Sequence, residues 1–297
     1  MTDEQRRPAR RRKSTSVRIA GAQVALMQAY FAAIARVAPR AAERQAALLF
    51  CLPRRVRHGD VPQLPSDARP YSITLGARRL AAWTWGKGPR VLLAHGWEGT
   101  ARDMVPLANA LVERGRSAAV FDMPAHGRSD GRISTLPEMA GAIAAVARVT
   151  GSPEAVVGHS LGAAATVLAL RDGLGASDAA LLAPVAEPWL FVRRLADLLA
   201  LSPDRYLGLV DRISERAGIT LDAVDGVAAV RALSARALII HDPADRQVPF
   251  AHGEALARAW PGATLHALTG LGHRRPLFAA ESIALVAEHL APVVARA

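Results

Sequence analysis

The stretch "AVVGHSLGAAA", residues 155–165, decides the fold of this chain. Its first residues suit a buried strand, and a run of small, helix-forming residues follows Gly158-His159-Ser160-Leu161-Gly162. A serine between two glycines at a strand-to-helix turn is a nucleophile elbow: the turn strains the serine backbone, and only small residues fit two positions away. The elbow lifts the serine oxygen clear of the sheet, so the stretch predicts that Ser160 is a nucleophile.

Strand-like and helix-like patterns alternate along most of the chain. Short apolar runs with little polar alternation predict strands covered on both faces, at 71–76, 80–85, 90–95, 117–122, 154–159, 178–184, 236–241 and 263–268. Helical patterns separate most of these runs, which predicts βαβ units and a parallel sheet. The long interval between 184 and 236 has helical patterns near 189–201, 204–217 and 221–232. We expect it to form a helical insertion above the carboxyl edge of the sheet, where ligands bind in such folds.

A serine hydroxyl needs a base within hydrogen-bonding reach, and with an elbow the chain order is serine, acid, histidine. "ALIIHDPADRQVP" (237–249) ends a strand and offers Asp242 and Asp245, while "LTGLGHRRP" (268–276) holds His273. Asp245 is the favoured acid because Asp242 directly follows the strand, where its side chain can cap the turn. The alternative histidine, His266, lies within a predicted strand and is interpreted as structural.

Acyl chemistry also needs hydrogen-bond donors aimed at the oxygen on which negative charge develops. In "VLLAHGWEGTARD" (91–103) a strand ends at His95, and Gly96 allows a sharp turn. The N–H groups of Trp97 and Leu161 are therefore the predicted oxyanion hole, and the large Trp97 side chain is expected to wall the acyl site.

Composition limits the possible partners and the compartment. The formal net charge is +11, but Lys13 and Lys87 are the only lysines, and abundant arginine and alanine are typical of a coding bias toward G and C. Aromatic residues make up 5% and the one dense basic cluster is N-terminal, so no nucleic-acid partner is expected. Cys51 is the only cysteine, which excludes an internal disulfide and a cysteine-based zinc site and favours a cytoplasmic location over export.

The first seventy residues are the ambiguous part of the chain. Residues 1–16 are basic and are expected to be a disordered tail, followed over 17–69 by two helices (17–38 and 41–51) and a proline-rich connector. Residues 19–35 carry no charge but have helical periodicity, which favours a soluble helix packed on the body. Peripheral membrane contact through this helix, or a signal or anchor segment, are the alternatives.

Five segments in the expected order resemble α/β-hydrolase-fold serine hydrolases over about residues 70–290. They are His95-Gly96-Trp97, "FDMPAHGRSDG" (121–131), the elbow, "HDPADRQVP" (241–249) and "GLGHRRP" (270–276). The resemblance implies an α/β-hydrolase domain over 70–297: a mostly parallel eight-stranded sheet with one antiparallel strand near its start, helices on both faces, and a small helical cap at about 186–233. Ala125 departs from the family pattern, which usually has glycine there, and could reshape the pocket rim.

Within this superfamily a serine nucleophile argues against dehalogenase and epoxide-hydrolase reactions, which need a carboxylate. We therefore expect hydrolysis of a small-molecule carboxylic ester or thioester by Ser160, His273 and Asp245 through an acyl-enzyme, without a cofactor or a metal. The alternatives are an acyltransferase or cofactor-free peroxidase of the same fold, or a catalytically inactive binding or membrane-associated protein.

Overall fold

The computed structural model describes residues 15–54, 62–220 and 222–291. Most of the predicted tail (1–14) and part of the proline-rich connector (55–61) lie outside these residues. One sheet contains eight strands, namely β1 (Arg69–Leu75), β2 (Arg78–Gly86), β3 (Arg90–Ala94), β4 (Ser117–Phe121), β5 (Ala155–His159), β6 (Asp178–Leu182), β7 (Arg236–His241) and β8 (Thr264–Ala267). Their order is β1-β2-β4-β3-β5-β6-β7-β8. β2 runs antiparallel to β1 and β4, and the other paired strands are parallel, so the predicted sheet is confirmed.

Helices cover both faces of the sheet, as expected. The described helices are α1 (Thr15–Val37), α2 (Pro39–Phe50), α3 (Val105–Val112), α4 (Leu136–Thr150), α5 (Leu161–Arg171), α6 (Trp189–Leu198), α7 (Pro203–Ala217), α8 (Gly226–Val230), α9 (Phe250–Ala259) and α10 (Ala280–His289). α4, α5, α8 and α9 enclose one apolar core, and α3 and α10 enclose the other. This double layer buries the central strands and makes their carboxyl ends a fixed platform.

The expectation that every strand is covered on both faces is wrong for the two edge strands. Every residue of β4, β5 and β6 is buried, whereas most residues of β1 and of β8 are at least partly exposed. An edge strand has a neighbour on one side only, and the flanking helices extend over it incompletely. Residue composition alone did not distinguish these short strands from the central ones.

The segment predicted to form the cap divides into two parts. α6 and α7 pack together with α1 and α2 around a separate apolar cluster that includes Phe31, Ala46, Val192 and Leu209. The helix expected over 221–232 is instead a 3-10 turn at Asp222–Val224 followed by the short α8, which packs on α5 and α9 of the main body. The cap thus contains two inserted helices and two N-terminal helices.

A polar contact also joins the N-terminal helices to the inserted ones. Glu43 of α2 is buried, and its carboxylate pairs with the Arg205 guanidinium of α7 at 2.9 Å. A Cβ at Gly208 would overlap that carboxylate, so a larger residue there would displace the Glu43 side chain from its present position. Within the described residues, no helix has the length and apolar character needed to cross a bilayer.

Candidate active site

The elbow at Ser160 has the strained backbone that its sequence predicts. Ser160 lies between β5 and α5 with φ 54° and ψ −121°, a conformation that L-residues adopt at a cost. A Cβ at Gly158 would lie 2.5 Å from the Cα of Ala163, and a Cβ at Gly162 would lie 2.7 Å from the carbonyl oxygen of Ala94. Both glycines are therefore required by close backbone packing.

The structure brings Ser160, His273 and Asp245 together at the carboxyl edge of the sheet. His273 Nε2 lies 2.9 Å from Ser160 Oγ, and His273 Nδ1 lies 2.7 Å from Asp245 Oδ2. Because the carboxylate accepts a hydrogen bond, Nδ1 carries the imidazole proton and Nε2 is left as an acceptor for the serine hydroxyl. These three side chains can therefore transfer a proton away from Ser160 Oγ.

Asp245 lies in a pocket of hydrogen-bond donors. Its Oδ1 accepts the N–H groups of Gln247 at 2.7 Å and Val248 at 3.1 Å, and its Oδ2 lies 3.4 Å from His241 Nε2. Burial by itself raises the pKa of Asp245, but the hydrogen bonds from His241, His273 and Gln247 outweigh it and hold the pKa below its usual range. The carboxylate therefore stays ionised beside the imidazole.

Asp242 and His266, the alternatives raised by the sequence, have other surroundings. Asp242 Oδ1 accepts the N–H of Ala244 at 2.7 Å, and its Oδ2 accepts the N–H of Gly272. Asp242 therefore ties the loop after β7 to the loop that carries His273. His266 is exposed on the edge strand β8.

The predicted oxyanion segment lies directly against the elbow. A Cβ at Gly96 would lie 3.0 Å from Ser160 Cβ, a tight contact, so glycine there lets the turn after β3 lie close to the serine without displacing it. Trp97 and Leu161 both line the pocket at Ser160. Among the described residues, neither the Trp97 nor the Leu161 N–H has a hydrogen-bond partner, so both remain available to a ligand oxygen.

Two buried histidines support this segment. His95 Nε2 accepts the Met123 N–H at 2.9 Å, which places the imidazole proton on Nδ1, where it donates to the Gly96 carbonyl at 2.7 Å. His126 packs edge-on against the Trp97 ring, with ring centroids 5.2 Å apart. Burial lowers the pKa of both His95 and His126 to about 4, so both are neutral near pH 7.

In the segment "FDMPAHGRSDG", Ala125 stands where the resemblance leads us to expect glycine, and its backbone conformation is one that glycine adopts more easily. Ala125 adopts φ 65°, the left-handed region that favours glycine. The following residue, His126, packs behind Trp97. The left-handed backbone at Ala125 thus lies next to a side chain that supports the pocket wall, and the effect of Ala125 on the pocket rim stays a prediction.

Sequence reasoning missed the contacts that hold the His273 loop. His159, the variable residue of the elbow, donates from Nε2 to the His273 carbonyl at 2.9 Å. Burial and the neighbouring His273 lower the His159 pKa to about 3. Arg274 pairs with the buried Asp103 carboxylate at 2.6 Å, which ties this loop to the oxyanion segment. The sequence places His159 next to Ser160, but it does not show that His159 contacts the His273 carbonyl, 114 positions later in the chain.

The cavity above Ser160 has a volume of about 360 Å³ and a mainly apolar wall. The wall includes side chains from the end of α2 and from α6, namely Phe50, Cys51, Trp189, Phe191, Val192 and Leu195. Burial raises the pKa of the Cys51 thiol to about 11, so this second nucleophilic atom in the cavity is protonated at neutral pH. Ser160 Oγ, in contrast, has the His273 imidazole within hydrogen-bonding distance, at 2.9 Å.

An open, mostly parallel α/β sheet with a Ser-His-Asp group at its carboxyl edge has the architecture of an α/β-fold hydrolase. The model of the alpha/beta hydrolase family matches residues 91–288. The chain belongs to that family. No curated protein matches the chain by sequence.

Solved structures agree with this fold. An esterase of Pyrococcus furiosus is 21% identical with a TM-score of 0.62, covering 81% of this chain and 97% of the esterase. An alpha/beta hydrolase fold protein of Burkholderia ambifaria is 22% identical with a TM-score of 0.59, covering 77% and 98% respectively. A thermophilic esterase of Thermogutta terrifontis is 20% identical with a TM-score of 0.55, covering 75% and 96%. At these identities the likeness concerns the fold.

Proposed function

We propose that this protein is a serine hydrolase that cleaves carboxylic ester or thioester bonds through an acyl-enzyme. The observation that carries the proposal is the unbroken hydrogen-bonded series from Ser160 Oγ through His273 to Asp245, with distances of 2.9 and 2.7 Å. A serine in an elbow, an imidazole and an ionised carboxylate in this order are the groups that acyl transfer requires.

In the proposed reaction His273 Nε2 takes the proton of Ser160 Oγ as that oxygen bonds to the substrate carbonyl carbon. The Trp97 and Leu161 N–H groups hold the resulting oxyanion. Collapse of the tetrahedral species breaks the bond to the alcohol or thiol, which receives the proton from His273. Water activated by the same imidazole then releases the acid and restores Ser160, while Asp245 keeps Nδ1–H in place and stabilises the imidazolium.

The cavity supports an acyl group that is apolar and of modest size. Its volume of about 360 Å³ is near the lower end of the range typical of small-molecule sites. Trp189, Phe191 and Leu195 from α6 and Phe50 from α2 present apolar surface to it. Short and medium acyl chains are thus favoured over charged acyl groups, whose desolvation these walls do not offset.

The test is hydrolysis of p-nitrophenyl esters of graded acyl length by the wild type and Ser160→Ala. We expect kcat/KM to fall on the order of 10⁴-fold or more in Ser160→Ala, with the melting temperature nearly unchanged. Ser152→Ala, at an exposed serine before β5, is the matched control and should keep full activity. Equal activity of Ser160→Ala and wild type would refute the proposed nucleophile.

A fluorophosphonate probe separates an active site from an inactive one without knowledge of the substrate. The probe phosphonylates an activated serine, so we expect labelling of the wild type and of Ser152→Ala and none of Ser160→Ala. A wild-type protein that stays unlabelled would favour the inactive binding protein raised by the sequence.

A further inference from the structure

The paired helices α1 and α2 leave an apolar face uncovered. Phe31 and Ala46 of these helices point into the cluster shared with α6 and α7. On the outer side Leu26 is 73% exposed and Leu49 is 43% exposed. Tyr30 Oη donates to Gln45 Oε1 between the two helices at 2.5 Å.

That hydrogen bond places the exposed leucines on one continuous surface. Only Ala38 separates α1 from α2, so the helices run back along each other. Leu26 lies one turn before Tyr30, and Leu49 lies one turn after Gln45, which extends both in the same direction from the bond. We define this surface as the outer face, and its exposed side chains include Ala22, Ala25, Leu26, Ala29, Leu48, Leu49 and Leu52.

The exposed charges on the helix pair are all positive. In residues 21–52, the exposed charged side chains are Arg36, Arg40 and Arg44, and the one acidic residue, Glu43, is buried and paired with Arg205. The sequence before α1 adds Arg10, Arg11, Arg12 and Lys13 among its basic residues. A second copy of the chain would bring arginines toward arginines, whereas an anionic surface would complement them.

An apolar strip bordered by arginines has the chemistry that interfacial helices use, since leucine side chains enter the acyl boundary and basic residues meet anionic headgroups. From this combination we infer that the outer face docks on the surface of an anionic phospholipid membrane. α1 then lies along the membrane plane and does not cross it. α2 ends at Phe50 and Cys51 in the cavity wall, so docking holds the cavity close to the lipid surface.

The inference is tested by co-sedimentation of the full-length chain with vesicles. One set contains phosphatidylcholine alone, and the other contains equal parts of phosphatidylcholine and phosphatidylglycerol. We expect the wild type to bind the anionic vesicles at least about tenfold more tightly than the neutral ones, and to lose this preference at high salt. Equal binding to both sets, or no binding, overturns the inference.

The double variant Leu26→Glu with Leu49→Glu tests the face itself, and it should lower the affinity for anionic vesicles by about tenfold or more. The control is Val149→Glu, at a residue that is 53% exposed at the end of α4, and its binding should equal that of the wild type. If the double variant still binds, the basic N-terminal residues alone account for binding and the inference is wrong. If it instead converts a dimer to a monomer in light scattering, the occupant is a second copy and the inference is again wrong.

The readout of this test is independent of the proposed function. Neither Leu26 nor Leu49 lines the cavity, so the double variant should hydrolyse a soluble short-chain p-nitrophenyl ester at the wild-type rate. That rate, together with an unchanged circular dichroism spectrum, shows that a loss of vesicle binding does not come from unfolding.

Discussion

Ser160 illustrates how a single residue can link local strain to chemistry. Its φ of 54° is costly for an L-residue, and the flanking strand and helix must offset that cost. The two glycines of the elbow allow the surrounding backbone to come close enough to do so. Because this requirement is local, the eleven residues 155–165 were enough to predict the turn.

The elbow glycines lead to a stability prediction. A methyl group at position 162 would overlap the His95 carbonyl oxygen, so Gly162→Ala should lower the free energy of unfolding by about 1–3 kcal/mol. It should also reduce the proposed esterase activity by displacing Leu161. Urea unfolding measures the first effect. In the control Gly141→Ala, a Cβ meets nothing within 4 Å inside α4, and the helix should gain about 0.5–1 kcal/mol. Comparable stability of the two variants would contradict the close-packing argument.

Substitution of the two aspartates after β7 should have different effects, one on catalysis and the other on stability. Asp245→Asn removes the acceptor for His273 Nδ1–H and favours the wrong tautomer, so kcat should fall on the order of 10⁴-fold with little loss of stability. Asp242→Asn keeps one acceptor oxygen for Ala244 or Gly272 N–H, so its main effect should be a lower free energy of unfolding. Steady-state kinetics and urea unfolding of both variants decide the question. A larger loss of kcat in Asp242→Asn than in Asp245→Asn would make Asp242 the acid that orients His273.

Sequence reasoning ranked Asp245 first from its place in the loop, but it could not find the groups around it. His241 belongs to a strand and reads as a core residue, yet its Nε2 lies 3.4 Å from the Asp245 carboxylate. His159 and Asp103 likewise depend on partners far along the chain. Such contacts follow from the way several loops converge on one sheet edge, and no local pattern encodes them.

At the scale of elements, the cap shows the limit of periodicity. The pattern of residues 19–35 indicated that one face of α1 must be covered, but it did not identify the covering partner. The structure supplies α6 and α7, which come from an insertion more than 140 residues later in the chain. The helical pattern over 221–232 overestimated the length of α8, because Asp225 caps a new helix after the 3-10 turn and interrupts the run.

The link between α2 and α7 leads to a prediction for these elements. Glu43→Ala leaves the partly buried Arg205 without its carboxylate partner, so the free energy of unfolding should fall by about 1–3 kcal/mol. Glu215→Ala is the control, because its pair with Arg212 lies within one helix and Glu215 is largely exposed, and it should change stability by less than about 0.5 kcal/mol. Urea denaturation measures both changes. Equal losses of unfolding free energy in the two variants would show that the Glu43–Arg205 pair does not stabilise the packing of α2 against α7.

At the scale of the whole molecule, buried imidazoles link stability to pH. Burial lowers the pKa of His95 and His126 to about 4 and, together with His273, that of His159 to about 3, against about 6.5 in an unfolded chain. Below pH 6.5 the unfolded chain therefore binds protons that the folded chain does not. The buried Asp122, whose pKa is raised by burial, opposes this trend with a single proton.

We therefore expect the free energy of unfolding to fall as the pH is lowered from 6.5 to 4, with each of the three histidines adding a slope of up to about 1.4 kcal/mol per pH unit. Urea unfolding at a series of pH values measures this slope. His159→Gln should reduce it by about one histidine's share, whereas His266→Gln, at an exposed position, should leave it unchanged. A flat profile across this range would contradict the burial of neutral imidazoles.

The contribution of α2 to the cavity wall has a consequence for how its shape can vary. Phe50 and Cys51 precede the region shared with the family, which begins at residue 91. Substitutions at the end of α2 can therefore change the shape of the cavity without altering Ser160, His273 or Asp245. Family members that share the sheet but differ in the residues corresponding to α2 are accordingly expected to differ in the acyl groups that fit this cavity.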